Sequence, residues 1–406
     1  MFVPTQLRRK KRKNPTTKSF RAKRRVVQKK TTSVILQEQQ QQQEPHKDDD
    51  EIKRVGTIGK YEFSSDVCGE GRFGMVLKAY DRETKSPVAV KAIKTKIDEG
   101  VPMCVLRELA IVTKLKEIRC ANILRVREIA FSSSETKCFL VTDFAEYDLG
   151  SVLKYKLESP FSLAQVKGLV LQLFRGLSTI HRHWIVHRDL KVDNILLTSK
   201  GVLQICDFGS ARRIGGRFED EEIKQDNEKM RRLRCLTPNM VSGHYRAPEL
   251  LLGCAEYGVG VDTWAAGCIF GELLTRTRLF PGTSEITQLQ LIHSILGTPT
   301  SKTWPEYELL MKRWGKVSFG VNTKSRLREI YPANGYDPLS VHARILKTTS
   351  LDDFGFDVLK TLLAYDPKRR ASADDVLNHL WFECEPRALT LNMSEIATLC
   401  RDSRKN

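Results

Sequence analysis

The sequence predicts an α+β chain in which a small strand-rich lobe precedes a larger helical one. Two periodicities carry that prediction. Between Tyr61 and about Val141, short β-favouring runs alternate with turns; beyond Ser151, apolar residues recur at helical spacing. The third observation is a shift of composition near residue 58, which separates both lobes from a polar, charged N-terminal block.

Residues 1–58 read as a tail. The net charge is +18, yet the first thirty residues hold thirteen Lys and Arg and no acid, which leaves +5 for the remainder. Basic clusters at Arg8 to Lys13 and Lys23 to Arg25 precede a glutamine run, Gln39 to Gln43, and an acidic run, Asp48 to Glu51. Such a block buries too little apolar surface to offset the entropy of ordering, so it is predicted to be disordered. Its basic clusters fit recognition by an importin and a nuclear location, with the cytoplasm as a second one. They equally fit weak, nonspecific attraction to nucleic acid or any other polyanion, and no aromatic residues are interleaved to stack bases. No run of eighteen apolar residues occurs, so no membrane-spanning helix is expected, and the charged N-terminus lacks the apolar core of a secretory signal. Ten scattered cysteines without a C-x-x-C pair argue against a zinc site or disulfide framework and fit reduced thiols.

The strand-rich lobe, about 61–145, contains runs at Tyr61–Phe63, Met75–Tyr80, Val88–Ile93 and Cys138–Val141. One helix interrupts them, Val105 to Leu115, with Val105, Leu106, Leu109, Val112 and Leu115 on a single face. The helical lobe, about 146–382, is announced by the periodic segments 163–181 and 260–274. Short strands at Ile195–Leu197 and Leu203–Ile205 bracket a Ser199-Lys200-Gly201 turn. Residues 383–406 form a C-terminal tail.

Chemistry concentrates at three places. Gly69, Glu70, Gly71, Arg72, Phe73, Gly74, Met75 and Val76 form a G-x-G-x-x-G with β-favouring residues after it. A dinucleotide-binding turn would open a helix; this one joins two strands, and its glycines let backbone N–H groups approach phosphate oxygens. Lys91, in the run Val88-Ala89-Val90-Lys91, places an ammonium seventeen residues beyond Gly74. An ordered lysine needs a fixed counter-carboxylate, and Glu108 is the candidate. Third, His187-Arg188-Asp189-Leu190-Lys191-Val192-Asp193-Asn194 is followed thirteen residues later by Asp207-Phe208-Gly209. Within twenty-one residues stand a base-like carboxylate (Asp189), a cation (Lys191) and two oxygen ligands for magnesium (Asn194 and Asp207). That inventory suits phosphoryl transfer from Mg-ATP, which is chiefly positioning and charge stabilisation. His187 is expected to be structural. Cys68 and Cys206 are expected to behave as inert thiols.

These residues, with Ala247-Pro248-Glu249, Asp262-Thr263-Trp264 and Arg370, resemble the eukaryotic protein kinases across residues 61–382. The resemblance implies a bilobal protein kinase fold, a buried Glu249–Arg370 ion pair and an Asp262 that anchors the catalytic stretch. It also implies an ATP pocket drawing on Val67, Ala89, Thr142, Asp143, Ala145, Asp148 and Leu196. Val67 and Leu196 would sandwich the adenine, and Thr142 would leave room behind it.

Glu99 to Glu108 resembles the cyclin-contacting helix of cyclin-dependent kinases, whose best-known form reads P-S-T-A-I-R-E. Pro102, Arg107 and Glu108 are retained around Met103-Cys104-Val105-Leu106. Tyr245 to Gly253 and Leu296-Gly297-Thr298-Pro299 are further marks of that family, and the helix is closest to the members linked to transcription and RNA processing. The resemblance implies a cyclin partner at Pro102–Glu108 and a Ser/Thr kinase with a preference for a following proline, through Val241 and Arg246. It further implies that Arg107, Arg188 and Arg212 converge on a phosphorylated Thr237. Three gathered guanidinium groups repel one another until an anion of charge near −2 joins them.

Departures are visible too. The span from Asp207 to Glu249 is 43 residues and includes Glu219 to Glu222, an acidic run able to fill an arginine pocket in place of phosphate. The insert is equally a solvated loop of mixed charge. Gly243-His244 replaces the usual Leu-Trp, Ser242 replaces a Thr, and Arg72-Phe73 replaces the inhibitory Thr-Tyr pair. A cyclin-independent, mitogen-activated-like kinase stays open because of Met103 to Leu106. A catalytically dead scaffold would be expected to lack Lys91, Asp189, Asn194 or Asp207, and all four are present.

Overall fold

A computed structural model describes residues 56–71, 74–93, 103–132, 138–155, 160–214, 243–254, 257–312, 321–333 and 349–394. Their contacts divide into two compact units: the described residues up to 93 with Glu128–Val141, and the rest.

The first unit is built on a sheet. β1 (Gly56–Thr57), β2 (Tyr61–Gly71), β3 (Gly74–Asp81), β4 (Pro87–Ile93), β5 (Val126–Phe131) and β6 (Cys138–Asp143) pair in the order β1-β5-β6-β4-β3-β2. β2, β3 and β4 form an antiparallel meander, and β1 runs parallel to β5. Alternation along β4 buries Val88 and Val90 while Ala89 and Lys91 stay half-buried; Ile93 is buried at the strand's end, where the alternation breaks. The core beneath holds Ile58, Tyr61, Ala79, Val88, Val90, Ala130, Phe139 and Val141. Ile58 thus belongs to the core although the composition shift put the boundary at that residue.

The second unit is helical. α1 (Met103–Glu117) is followed by β7 (Tyr147–Asp148), α2 (Leu149–Tyr155) and α3 (Leu163–Arg182). Short strands β8 (Ile185–Val186), β9 (Ile195–Leu197), β10 (Leu203–Ile205) and β11 (Arg212–Arg213) come next. Then come α4 (Pro248–Leu251), α5 (Gly260–Thr275), α6 (Glu285–Leu296), α7 (Tyr307–Lys312), α8 (Leu327–Ile330), α9 (Asp353–Leu362) and α10 (Ala373–Leu377). α3 starts at a capping box in which Ser162 and Gln165 satisfy each other's backbone N–H. α5 is buried from Val261 to Thr275 on every side, as a helix apolar all round must be.

The strand-to-helix succession is the α+β kinase architecture that the sequence predicts. α1 is the exception to sequence order. It lies between strands in the chain, yet Ile111 and Leu115 pack in the core that holds Leu173, Leu177 and Phe208. Element ends run further than the periodicity suggests: α1 by two residues at each end and β2 as far as Gly71. Among the described residues, no helix is long and apolar enough to cross a membrane.

Candidate active site

The catalytic stretch hangs from one buried carboxylate. Asp262, in the first turn of α5, accepts the backbone N–H groups of His187 and Arg188, each at 2.8 Å, and the His181 Nε2–H at 3.0 Å. Burial alone would raise its pKa. The His181 hydrogen bond and the Arg188 N–H together hold it below the usual carboxylate range. Arg188 takes a left-handed conformation, φ 67°, so the chain turns sharply there. His187 is fully buried. Its Nε2 lies 2.8 Å from the Cys206 carbonyl and its ring meets Phe208 edge-on at 5.0 Å. A carbonyl only accepts, so Nε2 carries the proton and Nδ1 is left to accept the Asp189 N–H at 3.3 Å. The structural role expected for His187 is the one it has.

Asp189 is 92% buried in consequence of this scaffold. Its Oδ2 accepts the Lys191 ammonium at 2.8 Å and the Asn194 amide at 3.3 Å. Asn194 also donates Nδ2 to the Asp189 carbonyl at 2.7 Å, which leaves its Oδ1 as an acceptor. Asp189 Oδ1 is buried and has no hydrogen-bond partner among the described residues. The Cys206 N–H donates to the Asn194 carbonyl at 3.0 Å, so Asn194 and Asp207 are carried on adjacent, hydrogen-bonded backbone. Asp207 is itself left-handed, φ 60°, just before the turn at Phe208–Ser210.

The segment that follows β6 is engaged in local structure. Thr142 is buried. Asp143 accepts the Arg127 guanidinium at 2.6 Å and its N–H donates to the Arg125 carbonyl. Ala145 is half-buried. Asp148 caps α2 by accepting the Ser151 N–H at 2.7 Å, and it pairs with Leu196 in the β7–β9 ladder. The carboxylates of Asp143 and Asp148 therefore hold the segment.

In the sheet unit, β2 and β3 pair antiparallel as far as Gly71 opposite Gly74, so the described glycines of the motif lie on two paired strands. Val76 faces Gly69 on one side and Lys91 on the other. Register alone thus brings the hairpin and the ammonium to neighbouring places in one sheet. Arg72 and Phe73 lie outside the described residues, as do Val241, Ser242 and Thr237 with the whole of 215–242. The side-chain surroundings of Val67, Glu70, Arg107 and Glu108 also lie outside them.

Of the three arginines expected at Thr237, two can be placed. The Arg188 guanidinium donates to the Ser210 carbonyl at 2.7 Å and to the Tyr257 hydroxyl at 2.6 Å. Both acceptors are neutral, and no carboxylate pairs with Arg188 among the described residues. Arg212 is half-buried and pairs with Val186 in the β8–β11 ladder, two residues from Arg188. Sequence reasoning missed Tyr257, Ser210 and His181, because each acts across a separation that no local pattern records. Glu249 and Arg370 form the expected buried pair, bidentate at 2.7 and 2.9 Å.

Residues 62–382 match the protein kinase domain family. The chain belongs to the protein kinases. Within them it belongs with the cyclin-dependent kinases. It is 38% identical to cyclin-dependent kinase G-1 of Oryza sativa subsp. indica over 82% of this chain and 42% of that protein. It is 39% identical to cyclin-dependent kinase 11A of Homo sapiens over 80% of this chain and 37% of that protein. It is 36% identical to "Probable cyclin-dependent kinase 10" of Dictyostelium discoideum over 81% of this chain and 80% of that protein. The chain therefore spans only about two fifths of the first two relatives.

Proposed function

We propose that this protein transfers the γ-phosphoryl group of Mg-ATP to Ser or Thr hydroxyls of protein substrates. The observation that carries the proposal is the buried Oδ1 of Asp189, unpaired among the described residues, beside an Oδ2 already committed to Lys191 and Asn194. A buried acceptor left without a donor costs roughly 1–3 kcal/mol, and a substrate alcohol satisfies it. The alcohol donates its proton to Oδ1, its oxygen attacks the γ-phosphorus as the bond to ADP breaks, and Asp189 takes up the proton late. The Lys191 ammonium, held on Oδ2, offsets charge on the transferring group. Lys91 serves the ATP phosphates, and the glycine hairpin offers them backbone N–H groups. Val67, Thr142, Ala145 and Leu196 are the proposed adenine contacts.

Asn194 and Asp207 offer hard oxygen ligands, and the Asn194 amide is oriented with its nitrogen spent on Asp189. Such a sparse oxygen set suits Mg2+, which keeps waters and phosphate oxygens in its shell. When bound, Mg2+ neutralises the phosphate tail.

The names of the relatives support cyclin activation, and its assignment to Pro102–Glu108 rests on the resemblance of that segment. The two neutral partners of Arg188 support an anion, phosphorylated Thr237, as the group that completes its pocket. The basic clusters support import to the nucleus. The preference for a following proline rests on resemblance.

The test is transfer of label from [γ-32P]ATP to a Ser-Pro peptide, with a cyclin supplied. Asp189→Asn is expected to lower kcat at least about 100-fold while ATP binding persists. Equal rates in the two proteins would overturn the assignment.

A further inference from the structure

Residues 384–394 lie beyond the matched kinase domain, which ends at 382, yet they are seated against α3 and the β9–β10 turn. Two glycines make room for them. Gly168 sits in the second turn of α3, inside the helix, where glycine costs about 1 kcal/mol relative to alanine. A Cβ there would stand 2.0 Å from the Leu389 carbonyl oxygen. Gly201, φ 73°, ends its turn against the Leu391 carbonyl, 2.5 Å from where a Cβ would be.

The remaining contacts are as specific. The Leu389 N–H donates to the Ala164 carbonyl at 2.9 Å, and Leu391 and Met393 are buried. Lys167, fully buried, donates its ammonium to the Cys384 carbonyl at 3.0 Å and lies over the Trp381 ring at 5.2 Å. A buried lysine spent on one backbone carbonyl is costly to leave unpaired, so the segment has a defined seat.

The seat leads to the nucleotide side of the helical unit. Gly201 accepts Gln172 Nε2 at 3.3 Å, and Gln172 Oε1 accepts the Leu203 N–H at 2.9 Å. Leu203 pairs with Leu197 in the hairpin that carries Leu196, and Leu196 pairs with Asp148. From the same turn the Ser199 N–H donates to Glu146 at 2.7 Å.

We propose that residues 384–394 are a positioning strap, which fixes the β9–β10 hairpin and through it the Leu196 and Glu146–Asp148 surface that receives ATP. The strap sets nucleotide affinity and leaves the transfer step alone, because none of its contacts reaches Asp189, Lys191 or Asn194. It rests on the ATP-dependent reading above.

Two variants displace the strap from opposite sides. Gly168→Ala raises the intrinsic propensity of α3 and collides with backbone; Leu391→Asp with Met393→Asp places charges in a buried seat. In the full chain with cyclin, each is expected to raise KM for ATP by about three- to tenfold with kcat within about twofold. Amide exchange is expected to quicken at 195–205 as well as at 384–394. Faster exchange confined to 384–394 with KM unchanged overturns the strap's role, as does a fall in kcat with no change in KM. Absence of transfer in the wild type would instead defeat the kinase reading, while exchange at 195–205 would still judge the strap.

Discussion

Asp189 shows how much a residue's chemistry depends on what its neighbours leave over. The motif spacing identifies it, but only the structure shows Oδ2 bound twice and Oδ1 buried without a donor. His293 is the counter-case, invisible in the sequence. It is 1% exposed, edge-on to Tyr307 at 5.7 Å and Tyr365 at 6.1 Å, and burial pushes its pKa down to about 4. An unfolded histidine titrates near 6.5, so the folded state resists the proton. Its stability contribution is complete above pH 6.5 and is lost as the pH falls from there towards about 4. The expected loss is about 2 kcal/mol by pH 5. Denaturant unfolding at pH 7 and pH 5 checks this: His293→Leu should lose about 2 kcal/mol less than the wild type over that interval. Parallel losses would show that the proton goes elsewhere.

At the scale of elements, Arg370 joins parts of the chain that periodicity treats as unrelated. Its guanidinium grips Glu249 of α4 at both oxygens, donates to the carbonyls of Gly260, Ala364 and Tyr365, and lies over Trp264 of α5 at 5.1 Å. Both charges are almost wholly buried, so removing one leaves the other uncompensated. Arg370→Ala is expected to cost about 3–5 kcal/mol in urea unfolding. Arg370→Lys should recover only part of that, since an ammonium lacks the planar fork. Full recovery would mean that charge alone matters. The elements differ in legibility for physical reasons. The glycine hairpin was readable because β-favouring residues follow its last glycine, and α3 because its apolar face repeats at 3.6. α5 was readable as a helix from its periodicity, but Asp262 as an anchor only through the family resemblance, because it works on backbone 74 and 75 residues away. The strap at 384–394 was not readable, because its signal is two glycines in other elements that make room for a backbone.

For the whole molecule, the division into a sheet unit and a helical unit followed from the change of periodicity, and the catalytic inventory from fixed spacings. What spacing could not convey was packing, above all that α1 buries Ile111 and Leu115 with Phe208 of the Asp207-Phe208-Gly209 turn. That contact joins the helix proposed for cyclin to the turn proposed for Mg2+. The account turns on a direct transfer, with the alcohol on Asp189 Oδ1 attacking ATP and no phosphorylated enzyme in between. The stereochemical course at phosphorus tests this most directly, using ATP made chiral at the γ-position with oxygen isotopes and sulfur. A single in-line displacement predicts inversion in the phosphorylated serine. Retention would require two successive displacements through a phosphoenzyme, and would contradict the role given to Asp189.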